Sequence, residues 1–217
     1  RLPLIHAGSG VIHAGAYEEL ARVAQLLHAP VTTSWGARGA LSEDSPLAVP
    51  MVHVKLCHRV RNDADAVLIA GSRLGETDWW GKAPYWRRPS VQKTVQVDID
   101  GEAIGQHKPA DLGVLADAKV FLAALAAELE RRGAGDHGPR REALARYREQ
   151  MRRDRERWDR ALAEAQSPMN PAHVAHACSE VFPHDTVQVA DGGNAAVWAM
   201  FYTTVRAPNT LLSTFKF

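Results

Sequence analysis

Apolar and polar positions alternate in blocks along the first half of the chain. Residues 2–7 form a short apolar run that ends in Gly8-Ser9-Gly10. Beyond it, Ala16, Leu20, Val23, Ala24 and Leu27 recur at the spacing of one helical face. Residues 30–35 read as a second strand, 66–70 as a third ended by Gly71, 94–100 as a fourth and 112–115 as a short fifth. Residues 119–132 read as a helix that turns Phe121, Leu122, Leu125 and Leu129 inward. Strands separated by helical patterns argue for βαβ units. Near-continuous apolar strands argue for a parallel sheet covered on both faces. The expected fold is α/β: a Rossmann-like parallel sheet with helices on both faces.

Residues 133–139 are a Gly-rich break. A charged segment follows over 140–166, with Leu144, Met151 and Trp158 at heptad spacing and Tyr147 and Leu162 beside them. It reads as a solvated helix with one apolar stripe packed on its own protein. Residues 167–171 are a second break, with Asn170 a good N-cap and Pro171 at the first helical position. A helix to about Val181, a strand over 185–190, a helix over 195–202 and a strand over 210–215 should follow. The expected organisation is a sheet domain over 1–133, a helical linker over 134–169 and the incomplete start of a second α/β domain over 170–217.

Composition narrows the class little. Hydrophobic residues at 46% and charged residues at 24% are ordinary for a globular chain of 217 residues. A formal net charge of +1 gives no reason to expect nucleic acid or an anionic membrane as partner. No apolar run approaches the roughly 20 residues that span a bilayer. The first residues lack the apolar core and cleavage site of a signal peptide, and the absence of an initiator methionine suits a chain that begins inside a longer protein. Two distant cysteines, Cys57 and Cys178, suit free thiols and a cytoplasmic location.

Ligands of open parallel sheets bind outside the carboxyl ends of the strands. The residues at those ends form a suggestive set: Gly8, Ser9 and Gly10; Thr33 and Ser34; Gly71, Ser72 and Arg73; Asp98 and Asp100; and Asp117. Glycines let backbone approach a phosphate, hydroxyls bind its oxygens, Arg73 neutralises it, and aspartates accept from ribose hydroxyls. Turn glycines and polar strand ends also occur in any such sheet. The dinucleotide fingerprint is incomplete, because His13 stands where a third glycine belongs and the second strand ends in Thr33-Ser34 rather than an acid. No Gly-x-Ser-x-Gly elbow and no His-Glu-x-x-His occurs. His53, Cys57 and His58, and separately His173 and His176, fall short of a metal-ligand set and read as packing or surface residues. Trp79, Trp80, Tyr85 and Trp86 read as a packed loop. No catalytic residue and no metal ligand is assigned.

The chain resembles the acetolactate-synthase-like group of thiamine-diphosphate enzymes. The stretch Thr32-Thr33-Ser34-Trp35-Gly36-Ala37-Arg38-Gly39-Ala40-Leu41 with Asp44-Ser45-Pro46-Leu47 is similar to the family's central-domain segment. Asp63-Ala64-Asp65-Ala66-Val67-Leu68-Ile69-Ala70-Gly71-Ser72-Arg73, Val97-Asp98-Ile99-Asp100 and Ala116-Asp117-Ala118 are similar to its later strands and its close. Val189-Ala190-Asp191-Gly192-Gly193-Asn194 with Trp198 resembles the start of the domain that holds the cofactor diphosphate. The resemblance covers nearly the whole chain. It implies a fragment of a lyase or carboligase acting on 2-oxo acids, with thiamine diphosphate and Mg2+ in the full-length parent and FAD, ADP or nothing in the central domain. Gly193, Asn194 and Ala195 match the turn that touches the diphosphate. Gly8, Gly10, Thr33, Gly71, Arg73, Asp98, Asp100 and Asp117 are the candidates for FAD or ADP. The activating glutamate and the metal-binding motif have no counterpart here, so the fragment alone is expected to be inactive. The parent is expected to be a homodimer or homotetramer. The competing reading is a stand-alone FAD-, ADP- or NAD-binding or regulatory domain.

Overall fold

The computed structural model describes residues 2–133, 137–163 and 166–213. Five parallel strands, β1 (Pro3–Ala7), β2 (Val31–Thr33), β3 (Ala66–Ala70), β4 (Lys93–Asp98) and β5 (Leu112–Leu115), pair in the order β2-β1-β3-β4-β5. β1 lies in register with both neighbours, Ile5 opposite Val31 on one side and Leu68 on the other. Leu4, Ile5, Ala7, Val67, Ile69 and Ala70 are buried, the near-continuous burial of a strand covered on both faces. β5 is the exception. It is one of two edge strands, and unlike β2 at the other edge it leaves Leu112 and Leu115 exposed.

A short helix α1 (Ser9–His13) turns the chain out of β1 into α2 (Tyr17–Leu27), which buries Leu20, Val23 and Ala24. Glu18 and Glu19 stand in the first turn of α2, where the helix dipole favours them. α3 (Val54–Asp63) carries the chain back to β3, and α4 (Ala118–Arg132) follows β5. α2 packs on α4, while α3 packs on the long α5 (Gly138–Leu162). Parallel crossovers of one hand place α2 and α3 on opposite faces of the sheet.

The strand positions agree with the sequence pattern to within one to three residues. α3 was not anticipated, and the reason is physical. Its inward face carries Leu56, Cys57 and Val60 but also Arg61, fully buried, so the apolar period is interrupted. α5 is more than a linker. Ala143, Leu144 and Tyr147 belong to the main core, and the Tyr147 hydroxyl donates to Asp63 Oδ2 at 2.9 Å.

A second, smaller unit follows: α6 (Pro171–Val181), β6 (Gln188–Ala190), α7 (Gly193–Tyr202) and β7 (Leu211–Ser213), with β6 and β7 parallel. Asn170 caps α6, its Oδ1 accepting from the Ala172 N–H at 3.0 Å. The strand expected over 210–215 is described only to Ser213. Among the described residues no helix is long and apolar enough to cross a membrane.

Candidate functional site

The order β2-β1-β3 makes the gap between β1 and β3 the topological switch point, where the chain leaves β1 to one side and later returns on the other. In sheets of this kind the crevice beyond those two strand ends is the ligand position. A cavity of about 560 Å3 lies there. Ser9 and Gly10 after β1, Ser34 after β2, Gly71 to Arg73 after β3, and Asp98 and Asp100 after β4 line it. Of the residues singled out from sequence, Gly10, Gly71, Arg73, Asp98 and Asp100 come together.

Gly8, Thr33 and Asp117 do not line it, and each has another task. A Cβ on Gly8 would stand 2.2 Å from the Gly71 carbonyl oxygen and 2.4 Å from Ser72 Cβ. Gly8 is therefore a close-packing residue between two loops. Those loops are joined by Gly8 N–H to Ala70 O at 2.8 Å and Gly10 N–H to Gly71 O at 2.9 Å. Thr33 is buried within β2. Asp117 caps α4, its Oδ1 accepting from the N–H groups of Lys119 at 2.8 Å and Val120 at 3.1 Å.

The crevice walls are held rigid from below by Gln96, a buried side chain on β4. Its Nε2 donates to Ser72 O at 3.1 Å and Ala103 O at 2.9 Å, and its Oε1 accepts from Gly105 N–H at 2.8 Å. Asp98 and Asp100 each use one carboxylate oxygen on backbone N–H groups two residues ahead. Their remaining oxygens can take hydroxyl donors. Arg73 is exposed and forms no ion pair among the described residues, so it can meet an anion.

Under the crevice runs a segment over 74–87 that sequence alone left as a packed aromatic loop. Leu74, Trp79 and Trp80 have positive φ angles, of 55°, 50° and 49°. Bulky side chains adopt that region only when the surroundings impose it. Here Asp78 anchors the segment. The carboxylate is 2% exposed and meets two buried partners, Arg61 Nη2 at 3.0 Å and His6 Nε2 at 3.4 Å. His6 reaches back to Thr32 Oγ1 at 3.1 Å through Nδ1. Burial alone pushes Asp78 upward, but His6 and Arg61 outweigh it and hold its carboxyl below the usual carboxylate range. Arg61 lies 4.6 Å from the Trp86 ring centroid and 5.7 Å from that of Trp79. These faces stand in for hydrogen bonds that its Nε and Nη1 lack. A histidine in the middle of the apolar run Leu2-Pro3-Leu4-Ile5-His6-Ala7 was a usable signal, because a buried polar group demands a partner.

His53 is buried, stacks on Trp158 at 5.0 Å and meets Asp154 at 3.3 Å. Burial lowers its pKa, with Asp154 pulling partly the other way. Cys57 is a buried free thiol, pushed up to about 11 by burial. Among the described residues no group of three His, Cys, Asp or Glu side chains could hold a metal ion.

In the second unit, Gly193, Asn194 and Ala195 form the first turn of α7. Gly192 is the N-cap, in extended backbone, and no side chain caps the helix. Gly193 has φ +69° with open space where a Cβ would lie. Asn194 and Ala195 are exposed. Ala195 and Trp198 face an apolar cavity of about 610 Å3 shared with α6 and β6.

Fold and crevice together define a class: a parallel-sheet domain with a crevice at its switch point, followed by a second, smaller α/β unit. Residues 1–125 match the family described as thiamine pyrophosphate enzyme, central domain, and the chain belongs to that family. It is 35% identical over 130 residues to a probable acetolactate synthase large subunit of Methanocaldococcus jannaschii, covering 58% of this chain and 22% of that protein. It is 29% identical over 215 residues to a probable 2-ketoarginine decarboxylase of Pseudomonas aeruginosa, covering 98% and 35%. It is 27% identical over 240 residues to a sulfoacetaldehyde acetyltransferase of Castellaniella defragrans, covering 98% and 39%. The chain thus spans between about a fifth and two fifths of the length of these relatives.

Proposed function

We propose that this chain is the central domain and the opening of the diphosphate-binding domain of a thiamine-diphosphate-dependent lyase or carboligase acting on 2-oxo acids. The observation that carries the reading is the likeness running through 98% of the chain to a decarboxylase and to an acetyltransferase, past the matched central domain and across α7. The division follows the breaks in the chain: a central domain over 1–133, a linker over 134–169 whose helix α5 also packs on the core, and the new domain from 170.

The turn at Gly193-Asn194-Ala195 fits a diphosphate. Its first N–H groups have no side-chain cap, Asn194 is exposed and can donate, and Gly193 leaves the approach clear. When bound, thiamine diphosphate would supply a carbon nucleophile for the 2-oxo acid carbonyl and an electron sink for the bonding pair left behind when carbon dioxide departs. Of the residues here, Asn194 would orient the diphosphate, the α7 N-terminus would neutralise part of its charge, and the apolar wall around Trp198 would exclude water from one side. Among the described residues no group of three His, Cys, Asp or Glu side chains could hold the magnesium ion by itself. The crevice at the switch point suits an adenine nucleotide such as ADP or the ADP half of FAD. Asp98 and Asp100 would meet ribose hydroxyls and Arg73 the phosphates. The parent is read as a cytoplasmic homodimer or homotetramer.

Titration calorimetry with thiamine diphosphate and Mg2+, then with ADP and FAD, tests the reading. Binding of thiamine diphosphate that Asn194→Ala weakens supports it. Nucleotide binding that depends on Arg73, without any thiamine diphosphate binding, would favour a stand-alone nucleotide module instead.

A further inference from the structure

The loop after β2 reaches out of the sheet domain and grips α7 by its C-terminal end. The Arg38 side chain is 2% exposed. Its Nη1 donates to Met200 O at 2.9 Å, and its Nη2 donates to Thr203 O at 2.8 Å. These carbonyls belong to the end of α7, where a helix leaves its last C=O groups without intrahelical partners. The same guanidinium forms a two-pronged pair with Glu43, Nε to Oε1 at 2.7 Å and Nη2 to Oε2 at 2.8 Å. Glu43 in turn accepts from Val205 N–H at 2.9 Å through Oε2, and its own N–H donates to Val205 O at 3.0 Å. Close approach is secured by Gly39, at φ +84°, where a Cβ would stand 2.3 Å from Ala207 O.

A planar fork with five donors suits this arrangement, since it can satisfy two carbonyls and a carboxylate at once. A lysine could reach only part of it. α7 has ten residues, about 15 Å of rigid rod by helical rise. Fixing its C-terminal end therefore fixes where its N-terminal turn points relative to the sheet domain. We infer that Arg38, held by Glu43, is a positioning residue for the turn at Gly193-Asn194-Ala195. This rests on the reading of that turn as the thiamine diphosphate contact. Arg38 touches no reacting group; it acts through the orientation of α7.

The test compares the unaltered chain with Arg38→Ala and, in case that variant folds poorly, Arg38→Lys. Amide hydrogen exchange over 193–202 and over the strands of the main sheet is measured, together with the affinity for thiamine diphosphate in the presence of Mg2+. We expect exchange in α7 to rise about tenfold in Arg38→Ala while the central strands β1 and β3 stay protected, with a smaller rise in Arg38→Lys. Affinity for thiamine diphosphate should fall about tenfold, and ADP binding at the crevice should not change. A general loss of structure would instead expose the central strands as well. Unchanged exchange in α7, or faster exchange with unchanged affinity in a chain that binds thiamine diphosphate, overturns the positioning role alone. Failure of the unaltered chain to bind thiamine diphosphate overturns the reading of the turn, and the positioning role with it.

Discussion

Replacing Asp78 by asparagine keeps its volume and removes its charge, and the cost can be worked from its surroundings. The carboxylate stands 3.0 Å from Arg61 Nη2, with both side chains at most 2% exposed. A contact pair of unit charges is worth about 4 kcal/mol at the effective dielectric that describes protein sites. Breaking a buried pair by removing one partner typically costs about 3–5 kcal/mol, because the surviving charge is left uncompensated. Arg61 has little else to turn to, since its Nε and Nη1 make no hydrogen bond. The indole faces of Trp86 and Trp79 remain, and the amide oxygen can still accept from Nη2, so the low end applies: about 3 kcal/mol. For a chain of this length that corresponds to a fall in melting temperature of roughly 6–12 °C. Urea unfolding followed by tryptophan fluorescence, with calorimetry beside it, measures both. Adding Arg61→Met to Asp78→Asn should recover at least half of the loss, because the orphaned cation is then gone. Acid adds an independent check. Asp78 has a depressed pKa in the fold, so its contribution is present above the ordinary aspartate value and is lost as pH falls through the lower folded value. The double variant should lose less stability than the unaltered chain over that acid range. A cost below about 1 kcal/mol for Asp78→Asn, or no recovery in the double variant, would refute this account of the buried network.

Three further outcomes can be measured. Gly8→Ala puts a methyl 2.2 Å from the Gly71 oxygen, a fixed backbone atom, and should cost at least about 2 kcal/mol in chemical unfolding. Asp117→Ala removes the α4 cap and should cost about 1 kcal/mol while leaving any nucleotide affinity of the crevice unchanged, in contrast to Arg73→Ala. Lys108 is buried with its Nζ donating to Arg87 O at 2.8 Å, and burial lowers its pKa to about 8. Between pH 8 and 10 the unfolded chain therefore binds more protons at this site than the folded one, so folding stability should rise with pH across that window. Lys108→Met should flatten the rise in urea unfolding midpoints compared at the two ends.

The sheet was legible because buried parallel strands must be almost wholly apolar, and residues 66–70 could hardly be anything else. Around the main sheet, the helices between strands were legible where their inward faces were purely apolar. α2 and α4 satisfied that condition. α3 did not, because Arg61 takes an inward position and is compensated by Asp78, 17 residues away in sequence. The same pairing explains why the segment over 74–87 gave no regular pattern: tertiary contacts, rather than local propensity, set its backbone. Arg38 shows the limit most clearly. Its partners Met200 and Thr203 lie more than 160 residues on, and no spacing within the loop after β2 announces them.

The glycines after β1 show that one residue type can serve two kinds of close approach. Gly8-Ser9-Gly10 suggests a phosphate cradle because glycine lets another backbone come close. Close approach does occur, but the approaching backbone is the chain's own loop at Gly71, itself at φ +58°. The two loops are zipped by hydrogen bonds at 2.8 and 2.9 Å, and the α1 turn that follows is only five residues long. In a dinucleotide fingerprint the glycines clear space for a pyrophosphate lying on a long helix. Here the space at Gly8 is filled by protein, while Gly10 and Gly71 reach the crevice wall. If the switch point takes a ligand, the polar groups of its lining, among them Ser9, Ser34, Arg73, Asp98 and Asp100, would set the discrimination. Substitutions there should change binding with little effect on folding, and substitutions at Gly8 should do the reverse.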